Sequence, residues 1–160
     1  MTTTNALVVT AEPGVPFVSS VREFEAPVAD VFRAYVDPDL VVQWLGPRDL
    51  SMEIDAWDAR TGGSWAFTHI DAEGNRYGFR GVFHDVTENS SIVQTFEFDG
   101  FPGHVSLERL EFIDLGGRTR IVNHTAFQSQ QDRDGMVASG MERGVREGYE
   151  RLEELLGITG

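Results

Sequence analysis

Residues 22–47, REFEAPVADVFRAYVDPDLVVQWLGP, decide the fold. The stretch arrives as a loosely alternating strand over 16–25, and Ala26-Pro27 ends it, because proline gives no ladder donor yet suits the first turn of a helix. Val28, Val31, Phe32 and Tyr35 then recur at three- and four-residue spacing, which gives a short helix with one apolar face. Asp37-Pro38 breaks it, since a residue before proline avoids the helical region, and Leu40, Val41, Trp44 and Leu45 predict a second short helix that stops at Gly46-Pro47.

Downstream, β-type runs at 49–57, 64–70, 75–86, 91–99, 104–114 and 118–127 are separated by short turns such as Thr61-Gly62-Gly63 and Gly116-Gly117, lengths suited to antiparallel hairpins. From 132 to 156 the period becomes helical, with Val137, Met141, Val145, Tyr149, Leu152 and Leu156 on one stripe. The expected architecture is α+β: a curved seven-stranded antiparallel sheet, two short helices after its first strand, and one long C-terminal helix against the concave face. Residues 1–15, Thr-rich and interrupted by Pro13-Gly14, are expected to be a flexible leader or a short edge strand, and 16–160 a single domain.

Composition removes whole classes of function. The formal charge is −13, which repels phosphate backbones and anionic lipid, so neither nucleic acid nor a membrane surface is expected as a partner. All 13 basic residues are Arg, which leaves no Lys for a Schiff base or a P-loop, and the absence of Cys removes thiol nucleophiles and disulfides. Residues 1–20 carry no Lys or Arg, so a charged signal-peptide start is missing and a cytoplasmic location is the expectation. His69, His84, His104 and His124 show no metal-ligand spacing, and Gly62-Gly63 precedes a strand rather than a helix, so no metal and no nucleotide or other cofactor is expected.

The stretch quoted first, together with Gly62-Gly63-Ser64-Trp65-Ala66-Phe67, Arg80-Gly81-Val82-Phe83, Gly117-Arg118-Thr119-Arg120 and Ser139-Gly140-Met141-Glu142 through Tyr149-Glu150-Arg151-Leu152, resembles the SRPBCC group. This is the START and Bet v 1-like superfamily of helix-grip folds, and within it the likeness is to domains named after the activator of heat-shock protein 90 ATPase. Leu45 is a departure, standing where many members carry a second Trp. The resemblance implies a deep cavity between sheet and C-terminal helix, used across the superfamily for apolar molecules and in some members for polyketide cyclase or hydrolase chemistry. The family name alone suggests a chaperone-interaction module.

Candidate ligand contacts follow from strand parity. Trp65, Phe67 and His69 share one strand face, Phe96 and Phe98 another, and Phe79 a third, together able to line an apolar pocket or simply to form core. Trp44 either plugs the core or guards an entrance. Gly140, Gly144 and Gly148 recur every four residues on the expected helix, beside Met141 and Tyr149; close packing, room for a ligand and a homodimer contact each explain such a stripe. His69 is either a polar anchor or acid/base, or a buried structural histidine, and no full catalytic constellation accompanies it. Arg80, Arg109 and Arg120 interrupt strands and either hold a ligand's anionic group or pair with surface carboxylates. The function expected is binding of a small apolar or aromatic molecule.

Overall fold

The computed structural model describes residues 5–157. Strand β1 (Val8–Thr10) is followed by β2 (Phe17–Phe24), helices α1 (Val28–Val36) and α2 (Pro38–Trp44), then β3 (Ser51–Trp57), β4 (Ser64–Ile70), β5 (Arg76–Thr87), β6 (Ser91–Phe98), β7 (Val105–Asp114) and β8 (Thr119–Ala126). Helices α3 (Gln130–Ala138) and α4 (Met141–Leu155) close the chain. The strands form one antiparallel sheet in the order β1-β2-β8-β7-β6-β5-β4-β3. The sheet therefore has eight strands rather than seven. The addition is β1, three residues pairing with β2 at the edge, while residues 1–4 of the expected leader and 158–160 of the expected domain lie outside the described residues.

The prolines act as the sequence predicts. The Pro27 carbonyl accepts from Asp30 and Val31 to start α1, and Asp37 serves two helices: it ends α1, and its side chain accepts from the Asp39 backbone N–H at 2.9 Å to cap α2. Val31 and Ala34 of α1 are fully buried. Register shifts at Ile54/Ala56 and Phe83/Asp85 bend β3 and β5, and the resulting curvature wraps the concave face around α4.

The C-terminal helix departs from expectation. Residues 132–156 do not form one helix: the chain breaks at Ser139-Gly140, where Gly140 has φ 88°, a left-handed conformation that costs glycine nothing and other residues much. Gly140 thus belongs to a joint and not to a helical stripe. Beyond it, Tyr149 and Leu152 of α4 enter the core against Phe24 and Trp44. Arg22 of β2 is also buried there; its guanidinium lies over the Phe24 ring and bonds Glu153 of α4 at 2.6 Å, tying the first long strand to the last helix.

Candidate functional site

Between the concave face and α4 lies a cavity of about 350 Å³. Its main wall is aromatic because period-2 alternation brings inward residues of adjacent strands into register: Phe67 pairs with Phe79, and Trp65 with Gly81. A side chain at Gly81 would collide with Thr95 and with the Trp65 indole, so the glycine leaves the space that Trp65 covers. Trp65 stacks on Phe67 at 5.3 Å, Phe67 meets Phe79 at 5.3 Å, and Phe96 contacts both Phe79 and Trp65.

The opposite wall comes from helices and their connections. Trp44 is almost fully buried, donates from Nε1 to the Ala34 carbonyl at 2.9 Å and stacks beside Tyr149, so it fills core and lines the cavity at once. Met141, Gly144 and Tyr149 face the same space from α4. Nine of the ten candidate residues meet here. Phe98 does not: it packs against Phe79 and beside Gly100, outside the residues that line the cavity.

The glycines of α4 differ from one another. A Cβ at Gly148 would stand 3.3 Å from the Gly46 nitrogen and 3.4 Å from the Trp44 carbonyl oxygen, so α4 approaches closely the connection between α2 and β3 rather than the sheet. Arg151 reinforces this seam by donating to the carbonyls of Gln43, Gly46 and Pro47, as suits a cation at a helix C-terminus. At Gly144 a Cβ would meet only Pro47, at an ordinary 3.7 Å.

His69 sits at the rim with its ring edge over Gly46, whose lack of a side chain, at φ 102°, admits it. Burial holds its pKa below the ordinary histidine range, with the Leu45 backbone opposing and the Arg151 charge assisting. Its Nε2 is buried without a hydrogen-bond partner, as is Trp65 Nε1. The other three histidines are exposed. Arg80, Arg109 and Arg120 pair with Glu97, Glu111 and Glu23 and are not among the residues lining the cavity.

A polar row was missed from sequence. Across β5, β6, β7, β8 and β2 the register aligns Phe83, Gln94, Glu108, Thr125 and Val18, all on the cavity wall. Gln94 and Asn123 donate to the two oxygens of Glu108 at 2.6 and 2.7 Å, and Thr125 donates to Asn123 at 2.9 Å. Parity marks Glu108 as inward, since it shares a strand face with Ser106 and Leu110, both buried. A charged residue at such a position was the available signal.

Tyr35 and Tyr149 share a hydrogen bond of 3.1 Å at the helical end of the cavity. Burial pushes Tyr149 up to about 12, and burial with the neighbouring Tyr149 raises Tyr35 well above its ordinary value. The unfolded chain loses these protons near pH 10 while the folded one keeps them, so the folded state binds more protons and stability must fall as pH rises from 10 towards 12. With no Lys in the chain, tyrosine dominates titration in that window. Thermal melts between pH 9 and 11.5 should show this decline, and Tyr35→Phe with Tyr149→Phe should flatten most of it; an unchanged slope would mean that the hydroxyls ionise freely.

The fold matches solved structures. A crystal structure of a protein from Rhodobacter sphaeroides aligns with TM-score 0.87 at 20% identity, covering 96% of this chain and 100% of that one. A solution structure from Arthrobacter aurescens gives 0.86 at 22%, covering 96% and 92%, and a crystal structure from Mycobacterium smegmatis 0.85 at 21%, covering 96% and 98%. Among curated proteins no significant sequence match was found. Residues 25–157, from the exit of β2 to the end of α4, match the family described as Activator of Hsp90 ATPase homolog 1-like protein, an SRPBCC-type helix-grip family to which this chain belongs.

Proposed function

We propose that the protein binds a small apolar or aromatic molecule in the cavity between sheet and α4. The carrying observation is the cavity itself: about 350 Å³ of space walled by stacked aromatics, with a few polar groups gathered in one row. Small-molecule sites have this composition and size, roughly 300–1,000 Å³, whereas an ordinary core closes on itself at high packing density.

Native mass spectrometry of gently purified protein should reveal a co-purifying small molecule. Gly144→Leu supplies the structural test. The new side chain meets little but Pro47 and enters the cavity, so binding should weaken by at least about 10-fold while the melting temperature stays within a few degrees. A large loss of stability would show that α4 has no room at Gly144, and unchanged binding would show that the ligand does not occupy this space.

A further inference from the structure

Among the described residues, Glu108 is the one carboxylate on the cavity wall, and no Arg lines it. Both groups that orient it, Gln94 and Asn123, are neutral amides, so they fix its position without cancelling its charge. Arg22, buried between β2 and α4, is committed to Glu153 and to the Glu23 carbonyl. An oriented carboxylate facing apolar space without a counter-charge is costly, and the −13 charge of the chain deepens the negative potential. A bound cation would remove that cost. Aromatic faces are the complementary surface, since they shelter an apolar body and attract the positive end of an ammonium.

Building on the cavity reading, we propose that the ligand is an amphipathic amine whose apolar or aromatic body lies against the Trp65, Phe67 and Phe96 wall and whose ammonium group donates to Glu108. Each Glu108 oxygen keeps a lone pair for it beyond the amide bond already made. A ligand carboxylate placed there meets like charge instead, so the site selects against acids of the same shape.

Three probes with one body and different heads separate the possibilities: phenylbutylamine, phenylbutanol and phenylbutyrate, titrated calorimetrically at pH 7. The amine should bind about 10-fold or more tighter than the alcohol, as expected for a hydrogen bond to a charged group, and the carboxylate most weakly. Glu108→Gln should erase the amine's advantage over the alcohol. Should that variant fail to fold, the ranking of heads on the unaltered protein decides alone. Carboxylate binding as tight as amine binding, or an amine advantage that survives in a folded Glu108→Gln, overturns the assignment while leaving the cavity reading intact. No binding by any of the three, with no co-purifying molecule, overturns both.

Discussion

Replacing Glu153 with Ala should cost about 3–5 kcal/mol, a fall in melting temperature of roughly 6–20 °C for a chain of this size. Arg22 is 5% exposed, and Glu153 is its carboxylate partner at 2.6 Å; removing it strands a guanidinium between β2 and α4. The penalty comes from the uncompensated buried charge more than from the lost attraction. Consequently the double variant Arg22→Met with Glu153→Leu should recover most of the stability, because it removes both charges and keeps their volume. Urea melts of the two variants check this. A single-variant cost below about 1 kcal/mol would mean that water reaches Arg22 and that the tie between first strand and last helix is weak.

Trp44→Ala should be comparably damaging, about 3–5 kcal/mol, since it empties a nearly buried position where α2, Tyr35 and Tyr149 meet. Trp44→Phe separates two contributions. It keeps an aromatic ring beside Tyr149 but deletes the Nε1 bond to Ala34, and should cost about 1–3 kcal/mol. Equal costs for the two variants would place the whole effect in the hydrogen bond; a neutral Phe variant would place it in the ring.

The helical opening was legible because Pro27 and Pro38 act locally: each forbids one conformation to its neighbour whatever the rest of the chain does. The hairpins were legible for a similar reason, through turn residues and alternation. Strand β1 was legible only as one of two alternatives, a short edge strand within 1–15, since three residues hold no period and its identity depends on pairing with Val21, Ser20 and Ser19. Gly140 falls in a repeat every four residues in the sequence, yet its positive φ makes it the joint between two helices. Parity puts Phe98 on the same strand face as Phe96 but says nothing about where along a strand the cavity stops. Glu108 shows the same limit from the other side: its direction was readable, whereas its partners come from β6 and β8 and are joined to it only by register.

All three tryptophans of the chain, Trp44, Trp57 and Trp65, stand on the cavity wall, and the Trp57 indole is tethered to the Val36 carbonyl at 2.8 Å. Intrinsic emission excited at the red edge of the protein band therefore originates wholly from this one compartment, with no distant indole to dilute it. An occupant that displaces water or stacks on these rings changes every emitter together. The protein is in that sense its own optical sensor: binding, competition and the Gly144→Leu defect can all be followed by fluorescence without any attached label.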